Sequence, residues 1–507
     1  MGRHYGVIAL MIFSSSCIKL NNKASTKSAE QVEDTIMVSL ATPRQVFDGW
    51  GAGLSWWAKA AGASDFATSY ADLFFSDIDV DIKIGNETRT LPGLNLNLVR
   101  YNVGGGAGGI EGENVSPKLD WWKGIDGFHI LPGESEANWD WQRDPHQRKV
   151  LGLALQRNAD TVEFVAHASM WWMNDTSSSH GGKILEHHYG SHTNHLAQTI
   201  KHAQTYWKGD DWEVDVLSVE PFNEPVSEWW KFPQVQEGVI ITRNQQVEIL
   251  RKMRTSLDEL GLDDILIAAS DENTVDQAIE TYEHFQKAKV DNLVDKVNVH
   301  AYEGLYPYRN NESRRELRKL VGDQKKIWMT EYGDEEATGV VMAQTIVEDL
   351  KHLKANAWFY WQPLEPFTPW GMINGNYSEK NVNPKDLARP YAIHNKFFAF
   401  AHFTRFIGKN FQFFNIADDR TVLAYNKDSK QVILVSYNAT DERTLKLNLS
   451  ELQLGPDTSA TLISSKLDDN ESLFQKSELT GLENGIELPI PRTSIHTIVI
   501  SDVSIKK

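Results

Sequence analysis

The sequence VLSVEPFNEP, Val216 to Pro225, decides the fold class. A mainly apolar run leads into Asn223 and Glu224, and this pattern predicts a buried strand that ends in an amide, a carboxylate and a helix-blocking proline. Alone, an Asn-Glu-Pro turn also fits a strand end that merely caps the next segment. The stretch KIWMTEYGD repeats the pattern, because a second apolar strand there ends in Glu331. Two carboxylates delivered in the same way indicate a site for chemistry.

Around these two stretches, apolar runs alternate with segments of helical periodicity, which predicts a (β/α)8 barrel. Eight strands are expected, near Phe47, Leu96, Val162, Val216, Ile265, Val297, Ile327 and Ala357. Helices are expected at 64–76, 145–158, 192–207, 244–260, 275–287, 312–321, 343–354 and 391–406, the last closing the barrel. Catalytic groups of such barrels gather where the strands end, so Glu224 and Glu331, after strands four and seven, should face each other across the mouth.

The texture of the sequence divides the chain into a barrel and a β-rich module. We assign 47–407 to the barrel and 408–507 to a β-sandwich, because short alternating runs such as QVILVSYN follow one another after Gly408. Residues 36–46 are predicted to donate a strand to the sandwich. The stretch 107–142 has no periodicity and is expected to be a long loop beside the site.

Composition excludes several classes of function. The chain has 507 residues, 41% of them hydrophobic, with 17 Trp, 15 Tyr and 21 Phe, so it can bury a large core. A net charge of −18 disfavours nucleic acid and anionic membrane surfaces as partners. The sequence contains neither metal-ligand spacing nor a phosphate loop, so we expect no cofactor and no metal. We expect a monomer acting on a neutral substrate.

The N-terminus is typical of an export signal, since Arg3 and His4 precede an apolar run that stops at Ser16-Cys17. Cys17 is the single cysteine of the chain. The stretch 1–17 resembles a bacterial lipoprotein signal, with a tether at 18–35, which implies a lipid anchor in the outer membrane, facing the periplasm or the outside. The alternative is an ordinary cleaved signal with an incidental cysteine. No later apolar run has membrane-spanning length.

The two glutamates fit glycosidic bond cleavage, which needs one carboxyl group to protonate the leaving oxygen and another to attack the sugar or activate water. A separation of roughly 5 Å across the barrel mouth predicts retention of configuration. We expect Glu331 to be the nucleophile, held ionised by Arg100 if that side chain points into the mouth, and Glu224 to be the acid/base. Asn223 is placed to bind a sugar 2-hydroxyl.

Further candidates come from the other strand ends. His300 and Tyr302 follow strand six and could bind Glu331 or the sugar. Aromatic faces stack on sugar rings, so the aromatic residues that end strands three and eight are also candidates. The predicted substrate-binding residues are Trp56, Arg100, Asn102, Trp171, Asn223, His300, Tyr302 and Trp361.

Seven motifs in order resemble glycoside hydrolase family 30: DGWGAGLSWWA, LNLVRYNVGG, SMWWM, SVEPFNEP, NVHAY, WMTEYGD and FYWQP. The resemblance implies a retaining barrel enzyme with Glu224 as acid/base and Glu331 as nucleophile. Members similar to glucosylceramidases carry an aspartate where this chain has Trp56, which weakens a glucosidase reading. The paired tryptophans of the SWWA and MWW tracts, and the WW after EPFNEP, look most like the branch that cuts β-1,6-galactan side chains of arabinogalactan, as an endo-β-1,6-galactanase.

Two alternatives stay open at this stage. The first is another β-specificity in the same family: a β-1,6-glucanase, a xylanase or an exo-acting β-galactosidase. The second is a surface lipoprotein that binds glycans without turnover.

Overall fold

The computed structural model describes residues 35–106, 112–115, 119–133, 135–379 and 383–506. Eight parallel strands form a closed barrel, and the last pairs with the first through Ala357 and Gly49. The strands, numbered one to eight in chain order, are Gly49–Gly53, Leu98–Asn102, Thr161–Val165, Val216–Glu220, Leu266–Glu272, Lys296–His300, Lys326–Glu331 and Ala357–Tyr360. The predicted (β/α)8 class is confirmed.

Helices cover the outside of the barrel. They are Trp57–Gly62, Ala67–Phe75, Pro145–Leu155, Tyr189–Tyr206, Arg243–Glu259, Val275–Ala288, Asn311–Val321, Val340–Glu348 and Lys396–Thr404. Two begin with capping boxes, at Thr242 and Thr274, where a threonine and the glutamine three residues on satisfy each other's free backbone groups. The helix Val340–Glu348 continues as a π-helical turn, Asp349–Leu353.

One helix prediction needs correction. The helix expected at 391–406 begins only at Lys396, because Arg389–Ile393 is a strand that pairs with Ile373–Asn376. The short helix Trp57–Gly62 was not predicted, although its sequence, WAKAAG, is rich in the strongest helix former, alanine.

The barrel interior contains a buried charged layer below the mouth. Glu163 accepts hydrogen bonds from Arg100 at 2.9 Å, from Asn298 at 2.8 Å and from Ser218 at 2.7 Å, and it also pairs with Lys296. Each charge is compensated, as a low-dielectric interior requires. The pKa of Glu163 is lowered because Lys296 and Arg100 outweigh the burial that opposes ionisation.

The C-terminal module is a β-sandwich that also takes N-terminal strands, as predicted for the fold class. One sheet has seven strands, ordered Pro43–Val46, Gln412–Phe414, Thr421–Asn426, Gln431–Asn438, Ser494–Ile505, Leu452–Lys466 and Gln475–Leu479. The other has three, ordered Ile36–Met37, Arg443–Asn448 and Ile486–Ile490. The segment 36–46 thus contributes a short strand to each sheet. Apolar side chains such as Leu434, Leu447 and Ile498 fill the space between.

Small sheets lie outside the barrel, in the segments that connect its strands and helices. Their strands are Asp79–Ile84 with Glu87–Pro92, His180–Lys183 with Gly238–Ile240, Tyr302–Glu303 with Tyr306–Pro307, and Leu364–Glu365 with Ile373–Asn376 and Arg389–Ile393. Within the described ranges, every helix is too short or too polar to cross a membrane. The predicted signal at 1–17 and nearly all of the tether at 18–35 lie outside the described residues.

Candidate active site

The two glutamates meet at the barrel mouth. Glu331 is the last residue of strand seven, and Glu224 lies on the loop just after strand four. One oxygen of each carboxyl and one ring nitrogen of His300 all lie within 4.8 Å of one another. Retaining glycosidases separate their carboxyl groups by about 5 Å, whereas inverting enzymes leave room for a water between them. The spacing therefore fits attack by one carboxylate on the sugar.

The backbone holds Glu224 in an uncommon conformation. Its φ is +47°, in the left-handed region, and Asp271 near the end of strand five has φ +57°. The amide of Glu224 donates a 2.8 Å hydrogen bond to the carbonyl of Asp271, so the two strained residues brace each other. Non-glycine residues in this region cost about 1–3 kcal/mol and concentrate at functional sites.

The carboxylate of Glu224 accepts hydrogen bonds from three different segments. Asn273 donates its Nδ2 to Oε1 at 2.7 Å, and His300 Nδ1 lies 3.2 Å from the same oxygen. Trp229 donates its Nε1 to Oε2 at 3.2 Å. The carboxyl plane is thus fixed at both oxygens.

Glu331 has a different environment. Its Oε1 lies 3.7 Å from His300 Nδ1, while its Oε2 has no hydrogen-bond partner among the described residues. Burial raises the pKa of Glu331 to about 7, and the charges of Glu224 and Asp271 add to this effect against His300 and Arg100. The raised pKa means that Glu331 becomes the ionised nucleophile only as the pH rises through about 7.

His300 is the positive charge between these carboxylates. Burial alone would lower its pKa, but the charges of Glu331 and Asp271 raise the pKa of His300 well above its ordinary value. Its Nε2 lies 3.2 Å from Asp271. A protonated imidazole has no lone pair for a metal, so Glu224, His300 and Glu331 form an ion-paired cluster although their spacing alone could suit a cation.

Arg100 makes no ion pair with Glu331, but its charge lowers the pKa of that carboxyl, which is the direction expected from the sequence. Its guanidinium bonds Glu163 at 2.9 Å and Asp271 at 2.8 Å, and it donates to the carbonyl of Thr330 at 3.3 Å. Arg100 also lowers the pKa of Asp271 against the effect of burial.

A cleft of about 500 Å³ opens above the glutamates. Of the predicted binding residues, Trp56, Asn223, Tyr302 and Trp361 line it together with Glu224 and Glu331. The Asn223 Oδ1 and the Tyr302 hydroxyl have no hydrogen-bond partner among the described residues, so both can bind sugar hydroxyls. Trp56 packs edge-to-face on Trp361, with ring centres 5.2 Å apart.

Four predicted binding residues are not among the described lining of this cleft: Arg100 and His300, described above, and Trp171 and Asn102. Strand three ends at Val165, and Trp171 lies beyond it in a short turn, with its indole against Gly106 and Gly112. Asn102 is fully buried and donates to Glu237 at 3.4 Å. Asn102 therefore supports the cleft through Glu237, which does line it.

Several residues of the site were missed from the sequence. His167, Trp229, Asn273, Glu365 and Trp370 all line the cleft. The polar run SDEN at the end of strand five contained the signal for Asp271 and Asn273, because polar side chains at a strand's end meet the barrel mouth. Nothing in the sequence distinguished Trp229 from a core tryptophan.

A closed (β/α)8 barrel with a carboxyl pair after strands four and seven, in an aromatic cleft, defines a glycoside hydrolase of the retaining type. The sequence pattern of O-glycosyl hydrolase family 30 matches residues 33–370. The chain belongs to glycoside hydrolase family 30.

Similar proteins agree with this assignment. An endo-beta-1,6-galactanase from Hypocrea rufa is 30% identical over 444 residues, covering 85% of this chain and 87% of that protein. An exo-beta-1,6-galactobiohydrolase from Bifidobacterium longum subsp. longum is 22% identical, over 80% of this chain and 34% of that protein. The crystal structure of a conserved exported protein from Bacteroides fragilis shares the fold, with a TM-score of 0.71 and 17% identity, over 92% of this chain and all of that one.

Proposed function

We propose that the protein is an endo-β-1,6-galactanase that cleaves the β-1,6-galactan side chains of arabinogalactan by double displacement. The observation that carries the mechanism is the carboxyl pair within 4.8 Å at the barrel mouth. The observation that supports the substrate is the 30% identity, over most of both chains, to a protein named endo-beta-1,6-galactanase.

The two steps assign a role to each glutamate. In the first, Glu331 attacks the anomeric carbon, the glycosidic bond breaks, and Glu224 gives its proton to the leaving oxygen. In the second, Glu224 takes a proton from water, which attacks the same carbon and releases Glu331. His300 stabilises the negative charge on the carboxyls throughout, since it stays protonated between them.

Binding of the sugar favours the ionised form of Glu331 that the first step needs. Glu224 already has three hydrogen-bond donors, whereas Glu331 Oε2 has none among the described residues. A sugar hydroxyl that donates to this oxygen favours the ionised form of Glu331. Asn223, with its free Oδ1, orients a hydroxyl of the same sugar.

Trp56 supports a substrate other than a terminal glucoside. It takes the position where glucosylceramidase-like members have a hydroxyl-binding aspartate, and here it packs between Trp122 and Trp361. An indole at this point offers an apolar face in place of a charged acceptor. Gln362 accepts a 3.4 Å hydrogen bond from the amide of Trp56 and donates to Glu365, so these two polar side chains line the cleft beside Trp56 and supply the polar contacts to the sugar.

Purified protein should be assayed on arabinogalactan after removal of arabinose, beside β-1,6-glucan, xylan and linear β-1,6-galacto-oligosaccharides. We expect hydrolysis of the galactans with a range of oligosaccharide products. Release of monosaccharide alone would replace the endo assignment with exo action, and preferential hydrolysis of glucan or xylan would replace the galactan. The double variant Glu224→Ala, Glu331→Ala is the matched control: binding without turnover in the wild type as well would favour the non-catalytic alternative.

We also propose export and lipid anchoring through Cys17, with the protein on the outer membrane. Its support is the position and uniqueness of this cysteine after an apolar run. Metabolic labelling with a radioactive fatty acid should mark the wild type, and Cys17→Ser should lose the label and leave the membrane fraction. An unlabelled wild type would refute lipid anchoring and favour the alternative, an ordinary cleaved signal with an incidental cysteine. A monomer, proposed for the mature chain, is checked by light scattering.

A further inference from the structure

Trp229 differs from its neighbour Trp230 in a way that points to substrate. Trp230 is 1% exposed and donates its Nε1 to the carbonyl of Glu224 at 3.1 Å, and its ring lies under Gly238, where any side chain would collide with it. Trp230 thereby anchors the loop that follows Glu224. Trp229 on the same loop is 40% exposed and lines the cleft. The buried Trp230 therefore holds the exposed Trp229 in position.

The indole of Trp229 is directed at the carboxyl group that must meet the leaving oxygen. Its Nε1 donates to Glu224 Oε2 at 3.2 Å, while Oε1 is occupied by Asn273 and His300. Since the glycosidic oxygen has to approach Glu224 during proton transfer, the sugar beyond that oxygen lies on the Trp229 side. The amide of Trp361 donates a 2.7 Å hydrogen bond to the carbonyl of Tyr332, next to Glu331, so the sugar that Glu331 attacks lies on the side of Trp361 and Trp56.

Exposed apolar residues extend the surface around Trp229. Val235 is 61% exposed and Leu305 is 74% exposed, and both line the cleft. Leu305 is the tip of a hairpin whose neighbour Gly304 exchanges two hydrogen bonds with Asn273, at 3.0 and 3.2 Å. Asn273 therefore links this tip to the carboxyl of Glu224. Exposed apolar groups at a site rim mark a binding surface.

We propose that Trp229 forms the binding subsite for the leaving-group sugar and positions Glu224 for proton transfer to it. This inference rests on the proposed function for the identity of the sugar, but its geometry holds for any pyranoside. In a 1,6-linkage the leaving oxygen is attached to an exocyclic CH₂, so the leaving ring lies one bond further from Glu224 than in a 1,3- or 1,4-linkage. The indole of Trp229 lies on the loop after Glu224 and not at a strand end, and this position suits the longer distance to the leaving ring.

The test compares two substrates with the same attacked sugars. One is a linear β-1,6-galactotetraose, whose leaving group has rings and needs a proton. The other is β-1,6-galactobiosyl fluoride, whose leaving group has no ring and leaves with little protonation. For Trp229→Ala we expect a loss in kcat/KM that is at least about tenfold greater on the tetraose than on the fluoride. Trp229→Phe keeps the stacking face and loses the N–H, so we expect KM near the wild type and a kcat reduced about three- to tenfold on the tetraose.

Controls separate this role from a structural one. Tyr206→Ala removes an aromatic side chain that is 67% exposed on an outer helix, and should leave both substrates as in the wild type. Equal losses on the two substrates, or no loss on the tetraose, would overturn the inference. A wild type that hydrolyses the fluoride but not the tetraose would instead refute the galactanase proposal. In that case the loss of kcat/KM in Trp229→Ala is compared again on two other substrates, an oligosaccharide of the glycan that the wild type does cleave and the glycosyl fluoride of the same glycan.

Discussion

The buried carboxyl of Glu331 should cost the protein stability, and Glu331→Gln should recover it. The side chain is 8% exposed, and the pKa of Glu331 rises from 4.5 to about 7, mainly through burial. A group whose pKa is raised on folding opposes the folded state once the unfolded chain ionises, above about 4.5, and the cost is complete above about 7. The size of the rise corresponds to about 3 kcal/mol at pH 8 and less than about 1 kcal/mol at pH 5.

Thermal denaturation of the intact protein at both pH values measures this difference. For a chain of this length, about 3 kcal/mol corresponds to a rise in Tm of about 3 °C for Glu331→Gln at pH 8, with about 1 °C or less at pH 5. Glu163→Gln is the matched control, because this substitution should change the stability in the opposite direction. That glutamate is fully buried but paired with Arg100 and Lys296, so its loss should destabilise the protein by about 3–5 kcal/mol. A Glu331→Gln variant no more stable than the wild type at pH 8, or equally stabilised at both pH values, would refute the reasoning.

Three further predictions concern the catalytic pair and the layer beneath it. Glu224→Ala should reduce hydrolysis of galactan by about 10²–10⁴-fold but that of a galactobiosyl fluoride far less, because the fluoride needs little protonation; equal losses would assign Glu224 another role. The kcat/KM for galactan should rise about tenfold per pH unit up to about 7, because the nucleophile Glu331 must lose its proton to attack, and a profile already flat at pH 5 would contradict this. Arg100→Met should lower the free energy of unfolding by about 3–5 kcal/mol in urea, whereas Arg251→Met, at a surface ion pair, should change it by at most about 1 kcal/mol; equal effects would count against a buried charge layer.

The ends of the barrel strands could be predicted because a short local sequence pattern marks each of them. An apolar run followed by Asn-Glu-Pro or Glu-Tyr-Gly marks where a buried strand meets the mouth, and the count of eight runs places Glu224 and Glu331 opposite each other. Helix positions followed from periodicity, with ends shifted by a few residues. At 391–406 the apolar pattern concealed a strand, since pairing with Ile373–Asn376 outweighs local preference.

Contacts across the barrel could not be predicted from the sequence. Arg100 was expected to reach Glu331, but its partners, Glu163 and Asp271, lie on strands three and five, and only the closed barrel brings them within 2.9 Å. Trp171 was expected at the mouth because the sequence predicts a longer third strand, but that strand ends at Val165. Trp229 and Trp230 are adjacent, yet one faces the cleft and the other lies beneath Gly238. The difference arises from packing that no local pattern specifies.

Trapping of the glycosyl-enzyme tests the double displacement most directly. The probe is β-1,6-galactobiosyl fluoride with fluorine in place of the 2-hydroxyl of the reacting sugar, which slows release of the covalent intermediate. Mass spectrometry of the digested protein should find the disaccharide mass on the peptide that contains Glu331, and Glu331→Gln should not be labelled. Labelling of Glu224 instead, or an unlabelled wild type that releases products of inverted configuration, would contradict the assignment.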